Sequence, residues 1–265
     1  RAAQGLRPRR LSPPACGKRI DAGPTGFWHY GGMNEADPTH PAFAHVTDWV
    51  FDLDNTLYPR ECNLFAQIDL RISDYMAKVT GLPYAEARAL QKRYYHDHGT
   101  SLHGLMLHYG VDPDHFLKTV HDIDYSGVPA HPALVSALAA LPGRRFILTN
   151  GDVGHAANVL AKVGASELFS GIFDIRAMGY SPKPLPVAYT RFFEQHGIDA
   201  KRAAMFDDLE KNLLVPHEQG MVTVHVVASE DFTHAQVEGW ELARVDAPHI
   251  HHVTDDLAGF LAKVI

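Results

Sequence analysis

Short apolar runs alternate with helical patterns along the chain from about residue 46 onwards. The apolar runs predict buried strands at Trp49–Phe51, Arg145–Leu148, Ile172–Ile175, Ala203–Phe206, Thr223–Val227 and His249–Val253. Apolar residues spaced three and four apart predict helices at Pro132–Leu141, Val153–Val163, Val187–His196, Leu209–Gln219 and Leu257–Val264. Strand–helix–strand alternation at this spacing is typical of βαβ units. The pattern therefore predicts an α/β protein with a doubly wound, mainly parallel, Rossmann-like sheet.

The interval between the first two predicted strands is about ninety residues long, far more than a crossover connection needs. A first helix is predicted here by the apolar face that comprises Leu64, Phe65, Ile68, Ile72, Tyr75, Met76 and Val79. A second helix is predicted to end near His98, and two shorter ones lie at Ser101–Tyr109 and Pro113–Val120. Open α/β sheets bind ligands at their carboxyl edge, so we interpret the insertion as a helical cap over that edge. We assign residues 63–128 to the cap, and residues 46–62 and 129–265 to the Rossmann-like core.

Residues 1–45 are predicted to form a leader outside the folded body. The first 32 residues carry six basic side chains and one acidic side chain, a net charge of +5, and their prolines interrupt any amphipathic helix. We interpret the leader as added sequence or an over-extended start. The rest of the chain carries 18 basic and 30 acidic residues, a net charge of −12. Nucleic-acid polymers and anionic membranes attract basic surfaces, so the acidic body argues against both as partners.

The composition predicts an ordered, soluble protein of a reducing compartment, which we expect to be the cytoplasm. Hydrophobic residues make up 46% of the chain and charged residues 21%, and both values are typical of globular proteins. No apolar run approaches the roughly 20 residues that span a bilayer. With two cysteines, Cys16 and Cys62, the sequence offers no disulfide framework and no cysteine-rich zinc site.

Two acidic residues, Asp52 and Asp54, directly follow the first predicted strand. Carboxylates at the end of a buried strand cost free energy unless they bind a cation or take part in chemistry. An Asp-x-Asp-x-Thr string also arises in ordinary turns and helix caps. Its position at the end of a strand is what makes it a candidate site.

Three further polar groups follow later strands or precede a helix. They are Thr149 with the backbone amides of Asn150 and Gly151, Lys183 in a proline-rich loop, and the acidic pair Asp207 and Asp208. The carboxyl ends of parallel strands share one edge of the sheet. These elements therefore predict one pocket, with carboxylates for a divalent cation and hydrogen-bond donors for a phosphoryl group.

In these four elements the sequence resembles the haloacid dehalogenase superfamily of hydrolases. The superfamily's motifs match Asp52 with Asp54, Thr149, Lys183, and Asp207 with Asp208. The helical insertion is similar to the superfamily's helical cap. Within the superfamily the chain is most similar to the pyrimidine 5'-nucleotidase branch, over residues 52–58, 94–105 and 206–212, although Leu209 stands where a small polar residue is usual.

The resemblance and the residue types together imply a mechanism. Asp52 is the candidate nucleophile, which attacks phosphorus to form an aspartyl-phosphate. Asp54 is the candidate general acid and base. Thr149 and Lys183 would bind the phosphoryl oxygens, and the backbone amides of Asn150 and Gly151 would add donors.

Mg²⁺ is the expected cofactor, because it prefers oxygen ligands. The predicted ligands are Asp52, the backbone carbonyl of Asp54, and Asp207 or Asp208. Alignment with the family favours Asp208 of the last two.

The expected substrate and only expected partner is a small phosphorylated metabolite, in particular a nucleoside 5'-monophosphate with a pyrimidine base. We expect a monomer or a homodimer. In the cap, Tyr95, His96 and His103 are the candidate contacts for the base or the ribose. Aromatic residues on cap helices also commonly form the cap's own small core, which is the alternative interpretation.

Three other functions stay open. A phosphatase for a sugar phosphate or another metabolite would use the same core motifs. A 2-haloacid dehalogenase is disfavoured by Asp54, because a halide leaves without a proton and the superfamily's dehalogenases lack this second aspartate. A non-catalytic binding protein of the same fold is disfavoured by the presence of Asp52 and Lys183.

Overall fold

The computed structural model describes residues 41–228 and 247–265. Within them the strands are β1 (Asp48–Phe51), β2 (Arg144–Leu148), β3 (Gly171–Phe173), β4 (Ala203–Asp207), β5 (Val222–Val226) and β6 (His252–Thr254). They form one sheet in the order β3-β2-β1-β4-β5-β6, and every neighbouring pair is parallel. The chain winds to one side of β1 through β2 and to the other side through β4. The predicted doubly wound α/β fold is confirmed.

The helices of the described residues lie between and after these strands. They are α1 (Leu64–Thr80), α2 (Tyr84–His98), α3 (Ser101–Tyr109), α4 (Pro113–Val120), α5 (Pro132–Ala140), α6 (Val153–Val163), α7 (Pro186–His196), α8 (Leu214–Glu218) and α9 (Leu257–Val264). Single turns of 3-10 helix lie at Pro41–Phe43, Arg60–Cys62, Ala200–Arg202 and Glu210–Leu213. None of the helices in residues 41–228 and 247–265 is long and apolar enough to cross a membrane.

Helices α3, α4, α6 and α9 begin and end where the sequence predicts. Each follows a residue whose side-chain oxygen accepts a hydrogen bond from a backbone N–H of the first turn, and these residues are Thr100, Asp112, Asp152 and Asp256. Such capping satisfies backbone donors that the helix itself leaves unpaired. Local sequence therefore sets the start of these four helices.

Side chains of β1 alternate between two hydrophobic layers, as the period of a strand requires. Trp49 and Phe51 are buried with residues of α5, α6 and α9. Val50 is buried on the other side with residues of α7 and of the inserted helices. The sheet is therefore covered on both faces, which explains why its strands appear as continuous apolar runs.

Helices α1 to α4 occupy the predicted insertion between β1 and β2. Helix α1 packs against α2 and α4, and α2 packs against α3. A Cβ atom at Gly104 would lie 2.5 Å from the ring of Tyr94, so the glycine permits the close approach of α2 and α3. Tyr94 is buried in this contact and belongs to the packing of the inserted helices. The division of the chain into a cap and a core domain stays a prediction.

Side-chain hydrogen bonds interrupt two predicted elements. The predicted helix at Leu209–Gln219 is instead a 3-10 turn followed by the short α8. Oδ1 of Asp207 accepts hydrogen bonds from the Leu209 N–H over 3.0 Å and from Asn212 Nδ2 over 2.8 Å, which tightens this first turn. Strand β3 ends before Asp174, whose carboxylate accepts a hydrogen bond from the first turn of α6 instead.

Residues 1–40 of the predicted leader lie outside the described residues. Phe43, near the end of that leader, is buried in the core. Its ring stacks on Trp49 with the centroids 5.9 Å apart and meets Phe260 edge-on at 5.8 Å. The packed body therefore reaches back at least to Phe43, before the predicted boundary at residue 46.

Candidate active site

The candidate chemical groups gather at the carboxyl ends of three adjacent strands. Asp52 directly follows β1, Thr149 directly follows β2, and Asp207 is the last residue of β4. Lys183 comes from the loop between β3 and α7. The chain changes its winding direction here, which is where open α/β sheets bind ligands.

Lys183 joins the carboxylates of two strands inside the protein. Its Nζ lies 2.7 Å from Oδ1 of Asp52 and 2.6 Å from Oδ2 of Asp207, and 1% of its side chain is exposed. Burial by itself would lower the pKa of Lys183, but the two carboxylates outweigh it and raise the pKa. The ammonium group is thereby held as a positive charge at the end of β1.

A second cation, Arg60, holds Asp208. Nη2 of Arg60 lies 2.8 Å from Oδ2 of Asp208, and the side-chain amide of Asn55 donates a hydrogen bond to the same oxygen over 3.3 Å. Burial and the neighbouring Asp207 raise the pKa of Asp208 to about 7, although Arg60 and Asn55 oppose this change.

Asp52, Asp207 and Asp208 form a buried acidic cluster, whose carboxylate oxygens lie within 4.8 Å of one another. Burial raises the pKa of Asp52 well above its ordinary value; Lys183 opposes this, and the neighbouring carboxylates add to it. A further cation at this place would stabilise the charged forms of these carboxylates. Because Mg²⁺ prefers oxygen ligands, the residues of the acidic cluster fit a magnesium ion.

Asp207 and Asp208 differ in what their oxygens contact. Both oxygens of Asp207 already accept hydrogen bonds from protein groups, with Lys183 on Oδ2 and Asn212 on Oδ1. Asp207 is fully buried, whereas Asp208 lines the cavity that opens at this edge of the sheet. The difference favours Asp208 as the direct ligand of a metal ion and gives Asp207 the role of holding Lys183.

Asp54 makes two hydrogen bonds through one oxygen. Tyr58 Oη donates to Oδ1 of Asp54 over 2.6 Å, and Nε2 of His155 lies 2.7 Å from the same atom. Burial would raise the pKa of Asp54, but the charge and hydrogen bond of His155, together with Tyr58, hold it below its ordinary value. Asp54 lines the same cavity as Asp52 and Asp208, while its carboxylate lies outside the acidic cluster that the described residues form.

The turn after β2 is stabilised by its own side chains. Oγ1 of Thr149 accepts a hydrogen bond from the Gly151 N–H over 3.0 Å. Oδ1 of Asn150 accepts one from the Lys183 N–H over 2.9 Å, and Nδ2 of Asn150 donates to the Lys183 carbonyl over 3.1 Å. All four residues line the cavity. Asn150 therefore holds the loop that carries Lys183, a role that its position in the sequence did not predict.

The cavity, of about 190 Å³, is lined by both the sheet edge and the inserted helices. The apolar residues that the inserted helices contribute are Phe65, Ile68, Ile72, Leu102, Phe116, Leu117 and Val120. Polar groups lie among them: Gln91 Nε2 donates to Oδ1 of Asp69 over 2.6 Å, and Nζ of Lys92 lies 3.3 Å from the same oxygen. The lining thus combines charged groups of the sheet edge with a largely apolar surface of the inserted helices.

The three predicted cap contacts lie in different places. Tyr95 lines the cavity, and the ammonium of Lys211 lies 4.1 Å from the centroid of its ring. The side chain of His96 is 84% exposed and pairs with Asp97. Neither His96 nor His103 is among the described residues that line the cavity. The fold therefore brings Tyr95, but not His96 or His103, to the other predicted site residues.

Tyr58, Arg60 and His155 are site residues that the sequence did not predict. Tyr58 and Arg60 closely follow the Asp-x-Asp string, and that proximity is the signal that could have found them. His155 contacts Asp54 across 101 residues of sequence. Its position in the first turn of α6, the helix that starts at the same sheet edge, is the one local signal of its role.

The sequence matches a known protein-family model. A sequence model described as "Hydrolase: haloacid dehalogenase-like hydrolase" matches residues 50–214. The matched span is more than half of the chain, and it includes β1, the inserted helices and every predicted core site residue from Asp52 to Asp208.

Solved structures share the fold at low sequence identity. An L-2-haloacid dehalogenase is 15% identical, with a TM-score of 0.54 over 83% of this chain and 100% of that chain. A haloacid dehalogenase-type phosphatase from Thermococcus onnurineus is 17% identical, with a TM-score of 0.50 over 78% and 93%. The hydrolase YfnB from Bacillus subtilis, crystallised with magnesium, is 15% identical, with a TM-score of 0.50 over 83% and 98%. At these identities the likeness shows the fold alone.

Proposed function

We propose a specific activity for this chain, which belongs to the haloacid dehalogenase-like hydrolases: Mg²⁺-dependent hydrolysis of a small phosphate monoester through an aspartyl-phosphate. The proposed substrate is a pyrimidine nucleoside 5'-monophosphate. The family and the buried acidic cluster support a hydrolase with a divalent cation. The choice of phosphate-ester chemistry rests on Asp54.

The observation that carries the proposal is the Asp54 carboxylate in the same cavity as the candidate nucleophile Asp52. The alkoxide of a phosphate ester needs a proton as its bond to phosphorus breaks, whereas a halide leaves as an anion. Asp54 has one oxygen held by Tyr58 and His155, which leaves its other oxygen to exchange a proton with the substrate. A dehalogenase would not require this arrangement.

Each step of the proposed reaction assigns bond changes to named residues. First, a carboxylate oxygen of Asp52 bonds to phosphorus, the P–O bond to the alcohol breaks, and Asp54 gives its proton to the leaving oxygen. Then a water molecule attacks phosphorus, Asp54 takes a proton from it, and the P–O bond to Asp52 breaks. The products are the alcohol and inorganic phosphate. Lys183 and Thr149 would hold the phosphoryl oxygens by charge and hydrogen bonding.

Asp52 and Asp208, with the backbone carbonyl of Asp54, are proposed to hold the Mg²⁺ ion. When bound, the ion neutralises negative charge on the phosphoryl oxygens. Asp207 would support this site by holding Lys183 in place. Without a cation the acidic cluster would repel an anionic substrate, so we expect no turnover in the absence of metal.

The mixed lining of the cavity supports a nucleotide rather than a sugar phosphate. Phe65, Phe116 and Tyr95 line the cavity and could contact the faces of a base. The ammonium of Lys92 contacts Asp69 and has three donors, so it would also offer hydrogen bonds to the polar edge of the base. A sugar phosphate would leave hydroxyl groups against apolar side chains without partners, which costs free energy.

Release of inorganic phosphate from a panel of esters tests the proposal. The panel holds pyrimidine and purine nucleoside 5'-monophosphates, ribose 5-phosphate and glucose 6-phosphate, each with MgCl₂ and with EDTA. Halide release from 2-chloropropionate is measured in parallel. We expect Mg²⁺-dependent turnover that is fastest for uridine or cytidine 5'-monophosphate. Fastest turnover of a sugar phosphate would overturn the substrate class alone, while halide release without ester turnover would overturn the reaction.

The substitution Asp52→Asn tests the nucleophile. We expect kcat to fall by about 10³-fold or more, because an amide cannot form the aspartyl-phosphate. The unfolding temperature should not fall, since the change removes one charge from the crowded acidic cluster. Asp255→Asn, at an exposed position, is the matched control and should retain full activity. Turnover within tenfold of the wild type in Asp52→Asn would mean that another residue attacks phosphorus.

A further inference from the structure

His155 is held in one orientation beside Asp54. Its side chain is fully buried, with Nε2 at 2.7 Å from Oδ1 of Asp54 and Nδ1 at 3.0 Å from Oη of Tyr125. The ring of His121 stacks on it, with the centroids 4.5 Å apart and the planes 13° apart. Contacts at both ring nitrogens and on one face of the ring leave the imidazole little freedom to rotate.

The partners of His155 keep its donor to Asp54 in place whether the imidazole is neutral or charged. An ionised carboxylate only accepts hydrogen bonds, so Nε2 donates to Asp54. Oη of Tyr125 lies within reach of both Nδ1 of His155 and the carbonyl of His121, which is 3.1 Å away. Tyr125 can therefore donate to Nδ1 of a neutral ring, or accept from Nδ1 of a charged ring while it donates to the carbonyl. In both states Nε2 keeps its proton towards Asp54.

Oδ1 of Asp54 faces two donors at once, His155 and Tyr58. A protonated carboxyl group has one O–H oxygen and one acceptor oxygen, and the oxygen that faces two donors is the acceptor. The proton is thereby confined to Oδ2. That oxygen lies close to the turn after β2, because a Cβ atom at Gly151 would be 3.8 Å from it and 3.3 Å from Oγ1 of Thr149.

From this arrangement we propose that His155 is a positioning residue, which together with Tyr58 orients Asp54 so that Oδ2 delivers the proton to the leaving oxygen. The inference rests on the phosphatase activity proposed above and adds a residue to it. His155 acts through Asp54 and does not touch the substrate. Loss of His155 therefore slows the first step, in which the ester bond breaks, in proportion to the need of the leaving group for a proton.

The substitutions His155→Gln and His155→Asn form a matched pair. The amide nitrogen of glutamine can occupy the place of Nε2 and donate to Asp54, while that of asparagine extends only to the place of Nδ1. Both replacements are neutral amides at the same buried position, so general damage to the fold should affect both. The unfolding temperature of each variant is measured to check this.

Two substrates distinguish a positioning role of His155 from a merely structural role. Uridine 5'-monophosphate, or the alkyl ester that the wild type hydrolyses fastest, has a leaving group that needs a proton; the phenolate of p-nitrophenyl phosphate does not. For the alkyl ester we expect His155→Asn to lower kcat/KM by about 10²-fold, the range of a general acid. This ratio reports the first step, in which the ester bond breaks, and not the later attack of water, which is the same for both esters. For the aryl ester the loss should be less than about threefold, since proton transfer contributes little there. His155→Gln should recover most of the alkyl-ester activity.

Equal losses of kcat/KM for the two esters, or equal losses in His155→Gln and His155→Asn, would overturn the positioning role. If His155→Asn does not fold, Tyr58→Phe replaces it in the test, because it removes only the other donor to Oδ1 of Asp54; an unselective loss there would equally overturn the proposal. Absence of ester hydrolysis by the wild type is a separate result, which would overturn the proposed function and this role with it.

Discussion

Lys183 lies where carboxylates from two strands come closest, with Asp52 at 2.7 Å and Asp207 at 2.6 Å from its ammonium. Moving charged groups out of water costs several kcal/mol for each ion, and their attraction offsets this only in good geometry. Here the side-chain amide of Asn150 also holds the Lys183 backbone. At the scale of residues, Lys183 makes two buried acidic residues compatible with the fold, in addition to its proposed contact with phosphate.

The substitution Lys183→Met should lower the free energy of unfolding by about 3–5 kcal/mol, because it leaves buried carboxylates without their partner. Adding Asp207→Asn to Lys183→Met should restore part of that loss by removing one of the two charges. Urea denaturation in metal-free buffer measures both effects. Lys263→Met, at an exposed position of α9, is the control and should change the value by less than about 0.5 kcal/mol. A further fall in the free energy of unfolding in the double variant would contradict the stabilising role of Lys183 beside the two carboxylates.

At the scale of elements, the residue that caps helix α6 also holds side chains next to the candidate site. Its N-cap residue Asp152 accepts a hydrogen bond from the His155 N–H over 2.7 Å, and its other oxygen lies 3.0 Å from Nδ1 of His121. Burial would raise the pKa of Asp152, but these hydrogen bonds and the charges of His121 and Arg176 lower it far below its ordinary value. The cap that starts the helix thus also holds the two stacked histidines behind Asp54.

The lowered pKa of Asp152 predicts a pH-dependent contribution to stability. A carboxyl whose pKa is lower in the folded chain stabilises the fold above its unfolded pKa, near 3.9, and loses this effect as pH falls through the folded pKa. Asp152→Asn keeps an acceptor for the cap but removes the charge. We expect it to lower the free energy of unfolding by about 1–2 kcal/mol at pH 7.

Urea denaturation between pH 3 and pH 7 measures the difference between the wild type and Asp152→Asn. The difference should be constant above about pH 5 and shrink below about pH 4. Asp256→Asn is the matched control, because Asp256 caps α9 at the surface through the Gly259 N–H. If this difference in the free energy of unfolding grows as pH falls, its sign is opposite to the expected one, and the charge of Asp152 does not stabilise the fold.

At the scale of the whole molecule, an acidic protein is proposed to bind an anionic substrate. Outside its first 32 residues the chain has a net charge of −12, and the cavity itself contains Asp52, Asp54 and Asp208. Lys183, Arg60 and Lys92, the cationic side chains among the described residues that line the cavity, are each already paired with a carboxylate. A bound cation would add the positive charge that makes this cavity attractive to phosphate.

Binding of Mg²⁺ should therefore stabilise the folded protein. At a concentration one hundred times Kd the gain is about 2.7 kcal/mol, which raises the unfolding temperature of a domain of this size by about 5–10 °C. Thermal unfolding in MgCl₂ is compared with unfolding in NaCl of equal ionic strength. The variant Asp208→Asn should lose most of the shift. No shift in the wild type, or an undiminished shift in Asp208→Asn, would contradict a metal site at the acidic cluster.

Elements whose signals are local could be predicted from the sequence. Helices α3, α4, α6 and α9 have capping residues next to them in the chain, and the strands have apolar runs because both faces of the sheet are covered. The helix expected at Leu209–Gln219 was predicted wrongly as one continuous element. Its first turn follows hydrogen bonds to the side chain of Asp207, which apolar periodicity does not report.

The sequence by itself determined that Asp52, Thr149 and Asp207 meet, because each stands at the end of a parallel strand and such ends share one edge of a sheet. Only the tertiary structure decided which side chains touch Asp54 and which residues of the inserted helices reach the cavity. His155 contacts Asp54 from 101 residues away, while His96, in a helix beside the cavity residue Tyr95, is turned into solvent. The direction of a side chain depends on how the elements pack, and that information is distributed over the whole chain.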